Sequence, residues 1–371
     1  MKMVLMILLI VTGLSYMSQR MSMRYEDDGR KHWDIFLVIL IIFLIMFAGL
    51  RTSYNDTQNY MIGFQQSETI KEFLSNPENL KLTNNPLFYG FQALIRTMTS
   101  NVSIFFVICA TIINILNVRF IKKHVNTEDF ALSMFIYTTI GILMLSLAAQ
   151  KQSLAMSILT LALTQLFKKN YIRYYIIVFI AGLIHSYAWI FLFLPLLSTR
   201  PWSKSTVALL VGTIFIMYTF QDTITTFVEV ADQIGKNISM EEVFDGNKMN
   251  LLRVAVYAVV PVISFIFKRR INNDIDDQSS IFMQMSIVSL MFMLMGTMNG
   301  ANMFGRCANY FEIGIICALP WIVRQLFNKQ SVQIITIVAV LCFMSFYMYD
   351  NKTFQNDYRR KGITQFIGEV I

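Results

Sequence analysis

Apolar runs recur along the whole chain, divided by short polar stretches. They cover Met3–Tyr16, Ile35–Leu50, Val102–Phe120, Phe130–Ala148, Leu154–Phe167 and Tyr174–Leu197, then Thr206–Phe220, Leu251–Phe267, Ile281–Gly296, Phe311–Val323 and Val332–Met348. A helix of about 20 apolar residues crosses the hydrocarbon core of a bilayer. Within lipid only helices and closed barrels satisfy their own backbone groups. The pattern therefore predicts an all-α, polytopic integral membrane protein, a single multi-pass domain over 1–371, with no internal repeat. Two longer polar stretches, 51–101 and 221–250, are expected to carry short surface helices. In the first, Thr69–Leu74 and Pro86–Met98 read as helical. Leu87, Phe88, Phe91, Leu94 and Ile95 line one apolar face, Pro86 suits a first helical turn and Asn85 an N-cap.

Composition narrows the class. Of 371 residues 55% are hydrophobic and 15% charged, whereas a soluble domain is about 25% charged. A soluble enzyme is excluded. The net charge of +8 does not point to nucleic acid, because the cations sit in short clusters between apolar runs. These are Arg20/Arg24/Arg30/Lys31, Arg119/Lys122/Lys123, Lys168/Lys169/Arg173, Arg200/Lys204, Lys268/Arg269/Arg270 and Arg324/Lys329. The long loops carry acids instead, Glu68, Glu72 and Glu78 in one and Glu229, Asp232, Glu241, Glu242 and Asp245 in the other. The positive-inside rule puts the basic clusters in the cytoplasm and the N-terminus outside. The first run has no small-residue cleavage site behind it and reads as a retained span. The four cysteines form no CxxC pair, so neither a disulfide nor a zinc site is implied.

Tyr174–Leu197 decides the topology. A single crossing would put Arg200/Lys204 and Lys268–Arg270 outside. Two short helices turning near His185–Ser186 keep both inside, each arm about 12 residues or about 18 Å long. We expect the hairpin, which gives about 11–12 transmembrane or re-entrant helices. It leaves the tail cations Lys352, Arg359, Arg360 and Lys361 outside, as a basic amphipathic piece along the outer surface.

A charge at the centre of a span costs about 2.5–3.5 kcal/mol, so intramembrane polar groups are functional candidates. Four places stand out, all on the outer face in this topology. Arg51 closes the second run, followed by Asn55, Asp56 and Tyr60; it is either an interfacial anchor or a fork of donors for an anion. Gln150-Lys151-Gln152-Ser153 is either a plain outer turn or part of a site. His185 is either a hydrogen-bonded core residue or a proton carrier near neutral pH. Arg306 and Tyr310 share a helical face, as an interfacial belt or a ligand clamp; Glu312 lies further in and needs a partner. No nucleotide-binding or metalloprotease motif occurs.

Taken together, these residues resemble the EpsG family of bacterial exopolysaccharide membrane proteins, relatives of the Wzy-type polymerases. The pattern is carried by Arg51, Asp56 and Tyr60, by Lys151-Gln152-Ser153-Leu154-Ala155, by Phe167-Lys168-Lys169-Asn170-Tyr171, by His185-Ser186-Tyr187-Ala188 through Pro195, and by Arg306, Tyr310 and Phe311. Lys151 stands where the family usually has Arg, which keeps the charge and loses the bidentate fork. The resemblance implies a polymerase of undecaprenyl-diphosphate-linked oligosaccharide repeat units at the outer face of the bacterial cytoplasmic membrane, in exopolysaccharide, capsule or O-antigen synthesis. A GT-C-like arrangement is one architecture for it. His185, Asp56, Arg51 and Arg306 are then the catalytic candidates, and Lys151, Gln152, Tyr60, Tyr310 and Asn55 the substrate-binding ones. No metal or cofactor is implied. The expected partners are the lipid-linked oligosaccharide, membrane lipid and a chain-length regulator. The alternative is a transporter of lipid-linked oligosaccharide or another anion, which commonly shows internal repeats and broken helices.

Overall fold

The computed structural model describes residues 2–28, 33–197, 200–220, 225–226, 228–230 and 246–370. Every apolar run is helical, as lipid requires of a chain with no barrel pattern. In chain order the first helices are α1 Lys2–Asp28, α2 Ile35–Gly49, α3 Thr57–Gln65, α4 Ile70–Ser75, α5 Pro86–Met98, α6 Val102–His124, α7 Phe130–Ile140, α8 Ile142–Ala148, α9 Gln150–Phe167 and α10 Tyr171–Ile184. A 3₁₀ segment Ser186–Leu197 follows, then α11 Lys204–Tyr218, α12 Leu251–Ile266, α13 Lys268–Asp274, α14 Asp277–Met295, α15 Ala301–Asn309 and α16 Glu312–Leu326. The chain closes with α17 Lys329–Asp350, α18 Phe354–Asp357 and α19 Ile363–Val370. Two short strands, β1 Arg51–Ser53 and β2 Arg359–Arg360, pair antiparallel.

Among the described residues, four helices are long and apolar enough to cross a membrane, and up to seven if each bent pair counts as one span. The bent pairs are α7 with α8 (45°), α12 with α13 (81°) and α15 with α16 (56°). Shorter apolar helices are α2, α10, the 3₁₀ segment and α11. The chain is thus an all-α, multi-pass membrane protein. Most of the stretch 221–250, with the surface helices expected there, lies outside the described residues.

Contacts divide the chain into two compact units. The first comprises Met1–Trp189 and Tyr347–Ile371. Within it α1 packs on α2 and α7, α2 on α6, α6 on α9 and α9 on α10. Polar contacts distinguish its two ends. At one, Lys122 donates to Ser22 (2.8 Å) and pairs with Asp34 (3.7 Å), which also caps α2 through Leu37 N–H. His124 and Phe120 pack on Phe167 at the same end. This gathers the Arg20/Arg24, Arg119/Lys122/Lys123 and Lys168/Lys169 clusters, the partition of charge the sequence predicts. The other end holds β1, α3 to α5, the start of α9 and the end of α10.

The helix of the long run stops at His185, whose backbone is extended (φ −150°, ψ 118°). Trp189 then lies back against Phe179, ring centroids 5.4 Å apart. In a continuous helix ten residues rise about 15 Å, so the chain reverses here, where the sequence put the turn. A Cβ on Gly182 would fall 2.5 Å from the Trp189 ring, so glycine makes room for that return.

The loop 51–101 is largely helical, as read from sequence. Thr69 and Glu72 form a capping box that opens α4. The buried stripe of α5 runs through Phe88, Gln92 and Ile95, while Leu87 and Leu94 are exposed. This corrects the predicted face by about one residue: a polar glutamine, not Phe91, continues the inward line from Phe88.

The second unit, Ile190–Phe346, centres on α14. Both α12 and α16 pack along it, and α11 and α15 join at its flanks. Asn272 donates to Pro201 C=O (3.1 Å) and Gln325 to Asp274 (3.2 Å). These contacts collect Arg200, Lys268–Arg270 and Arg324 at one end.

Helix α2 meets α6 without room for a side chain at Gly49, where a Cβ would lie 2.8 Å from Val107 Cα. Gly49→Ala should therefore destabilise the unit by about 1–3 kcal/mol and lower the melting temperature in detergent. Gly13→Ala, with nothing within 4 Å, should leave it unchanged.

Candidate functional site

Arg51 begins β1 directly after α2 and is only 3% exposed. Its Nη1 donates to Ala48 C=O (2.7 Å) and its Nη2 to Gln150 Oε1 (2.5 Å). The guanidinium lies 4.3 Å from the Phe106 ring centroid, a cation–π contact. Its Nε is buried with no hydrogen-bond partner. Burial lowers the Arg51 pKa to about 10, so it stays a cation at neutral pH. Arg51 is thus neither an interfacial anchor nor an open fork: it is a buried charge holding the end of α2 to the start of α9. Gln150, its partner, is a residue that sequence reasoning passed over in favour of Lys151 and Gln152. The signal was present, since Gln150 begins the polar stretch and Ser153, also buried, follows one turn later.

The other residues at this end surround that charge. Lys151 N–H donates to Tyr60 Oη (3.3 Å), and Lys151 Nζ donates to Tyr89 Oη (3.1 Å). The ammonium sits 4.9 Å from the Tyr89 ring and 5.7 Å from Phe88. Phe88 meets Tyr60 edge to face. Burial pushes the Tyr60 phenol up to about 12. Gln152 is buried on α9. Asn55 takes a left-handed turn (φ 44°) that carries the chain from β1 into α3, and both it and Asp56 are exposed. Asp56 accepts weakly from Asn59 (3.5 Å). Tyr89 and Phe88 are aromatic site residues the sequence reading missed, because α5 was read there for its apolar face alone.

His185 joins the same end through the backbone. Asn85 occupies the expected N-cap position of α5, yet its side chain makes no cap bond. Its Oδ1 accepts instead from Ser186 N–H (3.1 Å), next to His185. The imidazole is half-buried and stacks on Tyr187, centroids 5.3 Å apart. The first unit therefore brings Arg51, Tyr60, Lys151 and the His185 turn to one end, with α5 touching both Lys151 and Ser186.

The remaining candidates belong to the second unit. Arg306 is exposed on α15, and Tyr310, one turn on, is buried against Phe191. Gly300 (φ 67°) opens α15, and Asn299 Oδ1 accepts from Gly246 N–H (3.1 Å). Glu312, 2% exposed, finds its partner in Tyr257, whose hydroxyl donates to Oε1. With its amide nitrogen turned inward, Asn309 also donates to Glu312 and to Gly305 C=O, each at 2.8 Å. These bonds hold α15 against α16 across their bend.

The chain matches the EpsG family over residues 34–364. It belongs to that family. No curated protein and no solved structure matches it. EpsG membership suggests a polymerase-like protein of exopolysaccharide biosynthesis in a lipid-linked oligosaccharide context. The matched span includes every candidate named above and reaches past β2.

Two outcomes follow for this EpsG-family end. Gln150→Leu strands the Arg51 donor and should cost about 1.5–3 kcal/mol, lowering the melting temperature in detergent, whereas Gln150→Glu restores an acceptor and should not. The Tyr60 pKa is raised from 10.0 to about 12, so the folded state holds that proton longer than the unfolded chain. Its contribution to stability is complete below about pH 10 and is lost as pH climbs towards 12. Wild type should lose melting temperature faster than Tyr60→Phe across that window.

Proposed function

We propose that this protein joins undecaprenyl-diphosphate-linked oligosaccharide repeat units at the outer face of the bacterial cytoplasmic membrane. The observation that carries this reading is the cation–aromatic platform of Lys151, Tyr60, Tyr89 and Phe88, backed by the buried Arg51 charge and joined through Asn85 to the His185 turn. Aromatic faces and phenols suit sugar rings, and cations suit a diphosphate. Their end of the unit lies away from the basic clusters that the positive-inside rule assigns to the cytoplasm.

The reaction is an inverting glycosyl transfer. An acceptor sugar hydroxyl attacks the anomeric carbon of the donor chain. The bond from that carbon to the lipid diphosphate breaks, and the diphosphate leaves with the electron pair. The hydroxyl proton passes to His185 or to Asp56. Arg51 supports the departing charge from beneath and Lys151 meets it directly; Arg306 is a catalytic candidate from the family pattern alone. Such preorganised charge is usually the largest electrostatic contribution to catalysis. Gln152 and Asn55 position sugar or phosphate, and the role of Tyr310 follows from the family pattern.

The purified protein in vesicles, given a labelled lipid-linked repeat unit, should produce a ladder of longer lipid-linked chains. Lys151→Ala and Arg306→Ala should each lower the rate by about 10²–10³-fold, as loss of an oxyanion donor does, and His185→Ala should lower it alongside. The three bent helix pairs also suit a transporter. Movement of the labelled lipid across the bilayer without any elongation would establish that second reading and overturn the first.

A further inference from the structure

The C-terminal tail is built into the Arg51 end of the first unit. In the β1–β2 pair, Arg360 stands opposite Arg51 and Arg359 opposite Ser53. Lys361 N–H donates to Leu50 C=O (2.9 Å) and Tyr358 Oη to Phe47 C=O (2.6 Å). The Tyr358 ring packs on Phe47 and Phe354, and Phe354 packs on Tyr54. The tail is therefore held on both sides of the strand, and the pairing with β1 is irregular between Arg51 and Ser53.

The three cations at the strand, Arg359, Arg360 and Lys361, are not equivalent. Arg359 donates to the carbonyls of Gln355 and Tyr358. Lys361 pairs with Glu369 at 2.5 Å. Arg360 is exposed, and its side chain makes no hydrogen bond or ion pair among the described residues. Like charges directly opposite in an antiparallel pair are destabilising, and here one of the two is buried and cannot turn away. Tyr358 lies in the positive field of both guanidinium groups. A cation kept at this position, at the end of the unit away from the other basic clusters, calls for an anion between the strand and solvent.

We propose that Arg360 is a substrate-binding residue that contacts the diphosphate of the lipid-linked substrate, with Arg51 supplying the fixed charge beneath it. This rests on the function proposed above and extends it to a residue outside the four polar stretches. The exposed guanidinium provides the bidentate fork that buried Arg51 and the ammonium of Lys151 do not.

The test uses the full chain in neutral phosphatidylcholine vesicles. Arg360→Ala should raise KM for the lipid-linked repeat unit about ten- to hundredfold with kcat little changed, and weaken inhibition by inorganic diphosphate in parallel. Arg360→Lys should recover part of both, and Arg359→Ala should move neither. Direct binding of a short-chain prenyl diphosphate to wild type and Arg360→Ala is measured beside turnover. Unchanged KM, inhibition and binding in Arg360→Ala would overturn the inference while an elongating wild type leaves the polymerase reading intact. A wild type that binds through Arg360 without elongating would sink the polymerase reading and keep the site. If vesicles with phosphatidylglycerol abolish binding at equal phosphate, the pocket reads bulk anionic headgroups and the substrate assignment fails.

Discussion

The charge of Arg51 is the constraint around which the first unit is arranged. A buried guanidinium needs acceptors and a polarisable face, because its water is gone and its charge remains. Ala48 and Gln150 supply the acceptors, Phe106 the face. Those three partners belong to α2, α9 and α6, so one side chain fixes three helices at the same level. Lys151 follows Gln150 in the chain and is delivered to Tyr60 and Tyr89 by that fixed helix start.

The turn at His185 is tied to the same frame by a single acceptor. Asn85 gives its side chain to Ser186 instead of to its own helix, and Pro86 makes this tolerable because a proline at the first helical position leaves one fewer N–H to cap. The second unit uses a different device. There a buried carboxylate, Glu312, gathers Tyr257 and Asn309, so the angle between α15 and α16, and with it the setting of Arg306 on its unit, is held by polar bonds inside an apolar bundle.

Much of the fold was legible in the chain. Apolar runs became helices because lipid leaves the backbone no other solution, and the charge clusters marked which ends belong together. The break at His185 was readable from charge bookkeeping alone. What stayed hidden needed contacts between distant residues. Gln150 looks like any polar residue in a turn until Arg51, 99 positions away, selects it. Asn85 carries a cap signature and is recruited elsewhere. A two-residue strand such as β2 has no periodicity to read, and its partner lies more than 300 positions earlier, as the Tyr358 to Phe47 separation of 311 indicates. Tyr257 gave no sign that it would answer the need of Glu312. The family pattern marked Arg51, Lys151 and His185 as a set without saying that one is a foundation and another a surface group.

The returning tail also orders events during biosynthesis. Ribosomes deliver α1 to α10 long before β2, so the first unit inserts and packs while the strand opposite Arg51 does not yet exist. The finished arrangement arises only after α17 has been threaded and its last turns have come back. Nascent or prematurely terminated chains would lack that strand and leave the Arg51 edge uncovered.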